Sequence, residues 1–226
     1  MKLLLLWDID GTLITSGGAG PRALRTSLRR GFGIDGDFSD IEFGGRTDPW
    51  ILRAILRKYG VADTPENVDR LFDGYAAELP AELANPGAVV LPGVHAILDA
   101  AHAHGAIAQG LLTGNRRRGA RVKLEHHGLW HRFPFGAFAD DGEVRNDLGP
   151  HAVRRAEAAH GVRFVPDRVW IIGDTPHDIA CGQAIGARTL AVGTGGHDLD
   201  TLRRHRPTAA LPDLADTAGV LRIFEG

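Results

Sequence analysis

Three short strings place acidic and hydroxyl side chains where they could act together. Asp8-Ile9-Asp10-Gly11-Thr12 follows the apolar run Leu3–Trp7, Thr113-Gly114-Asn115 follows residues 106–112, and Gly173-Asp174-Thr175-Pro176-His177-Asp178 follows residues 169–172. The run Leu3–Trp7, short and continuously apolar, is expected of a strand covered on both faces of a parallel sheet, and residues 106–112 and 169–172 also read as strands. Ligands of such sheets bind beyond the carboxyl ends of the strands. The three strings would therefore bring at least three carboxylates and a hydroxyl to one rim. Carboxylates crowded together repel and raise one another's pKa unless a cation lies among them. A hard divalent ion relieves this, and Mg²⁺ needs few carboxylates while keeping places for water and phosphate oxygen.

Taken singly, each string has a plainer reading. Asp-x-Asp-Gly-Thr can be a turn closed by an Asx bond, and Thr-Gly-Asn or Gly-Asp-x-x-x-Asp can be a strand end followed by a capped helix. Their joint occurrence, in this order and each after an apolar strand, singles them out.

The elements that must position these residues fall into two parts. After Gly93 the pattern alternates between helix and strand, which predicts a parallel α/β sheet. Strands are expected at residues 106–112, 135–139, 169–172, 189–192 and 209–211, with helices running to about His127, over 147–160, to about Gly186 and near Leu202. Asp8 to Gly20 is turn-rich, and from there to about Leu91 the pattern is helical with no clear strand. Leu24, Leu28 and Phe32 recur at spacing four. Thr47-Asp48-Pro49 and Thr64-Pro65-Glu66 are helix starts, each followed by an apolar face. We therefore expect a three-layer Rossmann-like α/β/α core over 1–15 and 92–226, interrupted by an inserted helical cap over 16–91.

Composition narrows the function classes. The chain has 226 residues with 43% hydrophobic and 24% charged, enough for a globular core of one or two domains. A formal net charge of −2 gives no reason to expect a nucleic-acid or anionic-membrane partner. No window approaches the roughly 20 apolar residues of a membrane helix. The single cysteine, Cys181, cannot form an intramolecular disulfide. A soluble cytoplasmic protein is the simplest expectation. The eleven histidines lack paired cysteines or a His-Glu-x-x-His arrangement, so a zinc site is not expected.

Three strings carry a resemblance: W-D-I-D-G-T-L at 7–13, L-L-T-G-N at 111–115 and I-I-G-D-T-P-H-D at 171–178. With them the chain resembles the haloacid dehalogenase superfamily, in its phosphatase branch with a helical cap after the first strand. The F-G-G-R-T-D segment at 43–48 is similar to the cap of phosphoglycolate-phosphatase-like members. The resemblance covers essentially the whole chain and implies a Mg²⁺-dependent phosphatase acting on a small phosphorylated metabolite. By the same resemblance Asp8 is the nucleophile, forming an aspartyl phosphate, and Asp10 is the acid and base for the leaving alcohol and the attacking water. The metal set would be Asp8, Asp10 through its backbone carbonyl, and Asp174, with Asp178 bonding metal waters or orienting its neighbours. Thr113, Gly114, Asn115 and a basic residue would hold the phosphoryl oxygens.

The family's basic residue often stands in a Gly-Lys-Pro context, which this chain lacks. Arg145 occupies the matching region and takes the role, its fork suiting phosphate. Lys123 competes for it, although its position in a helix reads more readily as a solvated residue. Arg46 is the cap residue expected to touch substrate, unless it is held in an ion pair with Asp48 or Glu42. Gly17, Gly18 and Gly20 are expected hinge residues. Two alternatives remain: a sugar phosphomutase of the same superfamily, and a catalytically silent binding or regulatory module. A carbon–halogen dehalogenase is disfavoured because Asp10 is present. A carbon–phosphorus hydrolase is disfavoured because the only lysine of the cap, Lys58, reads as solvent-facing.

Overall fold

A computed structural model describes residues 2–226. Six strands form a parallel sheet. They are β1 (Leu3–Trp7), β4 (Ile107–Leu112), β5 (Gly136–Ala137), β6 (Val169–Gly173), β7 (Arg188–Val192) and β8 (Ala209–Leu211). From β1 the sheet grows one way through β4 and β5 and the other way through β6, β7 and β8, so β1 lies where the order reverses. A crevice opens at such a point.

The apolar run of β1 is continuous because both faces are covered. Leu3, Leu5 and Trp7 enter one hydrophobic cluster, and Leu4 and Leu6 enter another on the opposite face. β6 divides in the same way, Trp170 and Ile172 against Val169 and Ile171. This is the two-residue period of a strand applied to two cores at once. The helices that cover the sheet are α4 (Val94–Ala103), α5 (Arg117–His126), α6 (Arg145–His160), α7 (Pro176–Ala184), α8 (Leu199–Arg204) and α9 (Thr217–Glu225). The sequence pattern does not predict α9. Asp216 caps it by accepting from the Gly219 amide at 2.9 Å, and Val220 and Phe224, four apart, are buried.

Between β1 and α4 lie α1 (Ala19–Phe32), α2 (Asp48–Lys58) and α3 (Pro65–Leu83). These helices have a hydrophobic cluster of their own, including Leu28, Ile55, Leu71 and Leu79. Thr64 caps α3 by accepting from the Asn67 amide, and proline follows the cap in α2 and α3, where its missing N–H costs nothing. The expectation of no strand in this stretch is corrected. β2 (Ile14–Ser16) and β3 (Ala88–Val90) pair antiparallel where the chain leaves the sheet and returns. Three residues each are too few to show a period, and the pairing joins segments about 75 residues apart. At this crossing Gly17 has φ +55°, and a Cβ on it would lie 2.5 Å from the backbone of Gly87. No described helix is long and apolar enough to cross a membrane.

Candidate active site

The carboxyl ends of β1, β4 and β6 place the three strings around one crevice. Asp8 follows β1 directly and is 5% exposed; its amide donates to the Ile172 carbonyl at 2.9 Å. The chain then turns tightly, Leu13 and Ile14 both donating to the Ile9 carbonyl. Gly11, at φ +79°, leaves no room for a side chain: a Cβ there would lie 2.3 Å from Asp174. Asp174 follows β6, buried, and accepts from Thr12 Oγ1 at 3.1 Å. Asp178 stands in the first turn of α7, where it and Thr175 form a reciprocal cap.

One carboxylate oxygen from each of Asp8, Asp174 and Asp178 can be chosen so that all lie within 4.8 Å. All three residues are buried. Burial raises Asp8 to about 6, with Asp178 and Asp10 adding to the effect and Arg145 opposing it. Burial, then Asp178 and Asp8, push Asp174 well above the carboxylate range. Buried oxygen donors with no histidine or thiolate among them fit a hard divalent cation such as Mg²⁺. Among the described residues this is the one group of three acidic, histidine or cysteine side chains so arranged.

Two buried cations divide the acidic groups between them. Arg145, at the first position of α6, bonds Asp8 Oδ1 at 3.0 Å and also bonds Asp178. Lys123 bonds Asp10 Oδ2 at 2.6 Å and Asn115 Oδ1 at 2.7 Å. Asn115 Nδ2 closes the triangle by donating to Asp10 Oδ2 at 2.9 Å and also donates to Thr113 Oγ1 at 2.9 Å. The reading of Lys123 as a solvated helix residue is therefore corrected: it is 5% exposed. Burial draws its pKa down, but Asp10, Tyr75 and Asp48 outweigh burial and leave it raised. Four-residue spacing turns Lys123 to the same side of α5 as Gly119, which faces Tyr75 and Asp48.

Above the crevice lies a cavity of about 190 Å³, walled by the strand ends below and by α1, α2 and α3 above. Arg46 lines it, bonded to Glu42 at 2.6 Å and stacked over Trp50. Gly114 lines it too, and a Cβ there would lie 2.2 Å from the Arg46 carbonyl. The upper wall is tied to the rim by three hydrogen bonds of 2.7 Å: Asp48 N to the Gly114 carbonyl, Arg116 N to Asp48 Oδ2, and Thr47 Oγ1 to the Glu143 carbonyl. Lys58 bonds Asp40 and takes no part in the cavity. His177 stands 3.9 Å from Glu42.

The structure thus brings together Asp8, Asp10, Asp174, Asp178, Gly114, Asn115, Arg145 and Arg46, with Thr113 buried beneath them. The carboxylate of Asp10 turns to Lys123 and Asn115. Sequence reasoning passed over Thr12, Asp48 and Tyr75. Thr12 had a signal, since it lies within the first string. The other two belong to a helix start and an apolar helical face, and nothing local marks them.

The chain belongs to the haloacid dehalogenase-like hydrolase family, whose sequence pattern matches residues 5–183. Solved structures share the fold over nearly their whole length. A hydrolase from Pseudomonas syringae has 20% identity and a TM-score of 0.71, with 98% of each chain covered. A predicted phosphoglycolate phosphatase from Haemophilus somnus has 16% identity and a TM-score of 0.72, again over 98% of each chain. A β-phosphoglucomutase from Clostridium difficile has 17% identity and a TM-score of 0.75, covering all of this chain and 98% of its own. No curated protein sequence matches. Family membership marks the chain as an enzyme of the hydrolase type, and the solved structures share its fold.

Proposed function

We propose that this protein is a Mg²⁺-dependent phosphatase that hydrolyses a small organic phosphate monoester through an aspartyl phosphate on Asp8. The observation that carries the reading is the unequal treatment of two aspartates in one turn. Asp8 is buried against Arg145 and the carboxylate cluster, while Asp10, two residues on, is held by Lys123 and Asn115 with its side chain 38% exposed. Carboxyl groups whose environments differ in this way suit different roles, one as nucleophile and one as acid and base.

Asp8 Oδ forms a bond to phosphorus as the bond from phosphorus to the alcohol oxygen breaks, and Asp10 gives that oxygen a proton. Asp10 then takes a proton from the water that attacks the acyl phosphate, releasing inorganic phosphate and restoring the Asp8 carboxylate. Arg145, the Thr113 hydroxyl and the amides of Gly114 and Asn115 are the donors for the phosphoryl oxygens. Asp8, Asp174 and the Asp10 carbonyl would hold Mg²⁺, with Asp178 acting through water. The ion, when bound, neutralises charge on the phosphoryl group and among the carboxylates.

Residues 16–91 serve as the cap in this reading. The hydrogen bonds from Thr47 and Asp48 to the rim hold it closed over the cavity, which keeps bulk water from the acyl phosphate. Gly17 and Gly18, both in the left-handed region, lie where the chain enters the cap.

Acid quenching during turnover of a phosphate-labelled aryl ester tests the reading. Label should remain covalently on the wild-type chain and be absent from Asp8→Asn. Turnover with no label on the protein would rule out the covalent route.

A further inference from the structure

We infer that the alcohol released at this site carries no anionic group of its own, neither a carboxylate nor a second phosphate. The inference rests on the phosphatase reading and specifies the substrate class. The cavity contains three cationic side chains, and each is already matched to carboxylate. Arg145 lies between Asp8 and Asp178, and Lys123 is bonded to Asp10, both at the end where the phosphoryl group reacts. Arg46, the cation contributed by the cap, is bonded through Nε and a terminal nitrogen to Glu42.

Beside Ser16 and the Gly44–Gly45 backbone, two stretches of wall surround the space left for the rest of the substrate. One is hydrocarbon: Leu24, Ile51, Leu52 and Phe72. The other is the α5 side, where Asp48 and the Tyr75 hydroxyl lie against Gly119. The Asp48 carboxylate accepts from the Arg116 amide at 2.7 Å and adds negative charge to this side. An anionic leaving group would exchange water for alkyl side chains and a carboxylate, with no free cation to meet it. A buried charge without a partner is strongly disfavoured. A hydroxyl or a short hydrocarbon has no such penalty, and a hydroxyl can donate to Asp48. The small volume suits a short skeleton. By the same charge count the bisphosphate that a phosphomutase must carry does not fit.

Three esters on one two-carbon skeleton test this: 2-hydroxyethyl phosphate, 2-phosphoglycolate and ethanediol bisphosphate. Phosphate release is followed at saturating Mg²⁺, with p-nitrophenyl phosphate as the control for chemistry. The expected kcat/KM for hydroxyethyl phosphate exceeds that for either anionic ester by about tenfold or more, the discrimination given by unpaired buried groups. Phosphoglycolate or the bisphosphate equal to or better than hydroxyethyl phosphate would overturn the inference and leave the phosphatase reading intact. No release from any ester, the aryl control included, would remove both. Glu42→Gln, on an exposed side chain, frees Arg46 and should narrow the ratio of hydroxyethyl phosphate to phosphoglycolate at least about threefold. An unchanged ratio would refute charge pairing as the source of the selectivity.

Discussion

Lys123 Nζ lies 2.6 Å from Asp10 Oδ2, although 113 residues separate the two in the chain. The contact joins α5, which follows one strand, to the turn that follows another, and Asn115 braces it from both sides. These contacts fix the orientation of Asp10, which the proposed mechanism assigns to the leaving oxygen. Lys123→Met removes the charge and two hydrogen bonds while keeping the length of the chain. It should lower kcat about 10- to 100-fold, a part of what a positioned acid and base supplies, with a smaller change in KM. Circular dichroism reports whether the fold persists; unchanged kcat in a folded variant would refute the positioning role.

Asp8→Asn keeps the shape of the side chain and removes its nucleophilic oxygen pair. Hydrolysis of an aryl phosphate should fall at least about 10³-fold. Arg145→Ala is expected to weaken substrate affinity as well, because its guanidinium is the cation beside Asp8. Normal turnover by either folded variant would overturn the corresponding assignment.

The carboxylate cluster predicts a dependence on divalent cation in stability as well as in activity. Three buried carboxylates repel one another, and burial already raises Asp8 and Asp174. EDTA should silence the enzyme and Mg²⁺ restore it. Saturation to 100 times the dissociation constant should also stabilise the fold by about 2.7 kcal/mol. Thermal unfolding with and without Mg²⁺ measures this. A melting temperature unmoved by Mg²⁺, together with full activity in chelator, would remove the metal from the scheme.

Gly114 lies against the Arg46 backbone without a side chain. A Cβ would stand 2.2 Å from the Arg46 carbonyl, on the seam where Asp48 N donates to the Gly114 carbonyl. Gly114→Ala should therefore force the seam apart, raising KM and lowering kcat together, as hinge and lid changes do. Wild-type kinetics in this variant would show that the seam is not closed during turnover.

Burial raises the Asp48 carboxyl to about 6, Lys123 opposing. The folded protein then holds this proton more tightly than the unfolded chain does. The stability associated with the group is present below about pH 4, the unfolded value, and is lost as pH rises through 6. Asp48 is partly exposed, so the shift converts to about 1–2 kcal/mol. Asp48→Asn cannot ionise and keeps an acceptor for the Arg116 amide. Its stability relative to wild type should improve by that amount between pH 4 and 7.5 in urea unfolding. A difference that is flat with pH would refute the assignment.

Much of this protein is legible in its sequence because the signals are local. Continuous apolar runs mark β1 and β6, whose faces are both covered, and the acidic strings follow them directly, so strand ends and carboxylates are read together; β4, interrupted by Gln109 and Gly110, is marked less sharply. Prolines after Thr47 and Thr64 mark the starts of α2 and α3. The family resemblance is carried by the same strings, because the residues proposed as nucleophile, phosphoryl-binding turn and metal-side carboxylates all lie within a few residues of a strand end.

What the linear chain leaves open depends on which surfaces meet. Lys123 has the local signature of a helical surface residue, and only the packing of α3 and the first turn against α5 buries it. Asp48 and Tyr75 become cavity residues because α2 and α3 fold back on the rim, and Arg46 proves to be bonded to Glu42 rather than free. β2 and β3, three residues each, exist only because the two crossings into and out of the cap lie side by side. The parallel sheet, the carboxylates at its edge and the chemistry they favour are readable along the chain, since backbone periodicity and strand-end spacing are properties of neighbouring residues. Tertiary structure alone decided which charges are paired and which walls face the substrate, since pairing and desolvation depend on groups brought together from far apart in the chain.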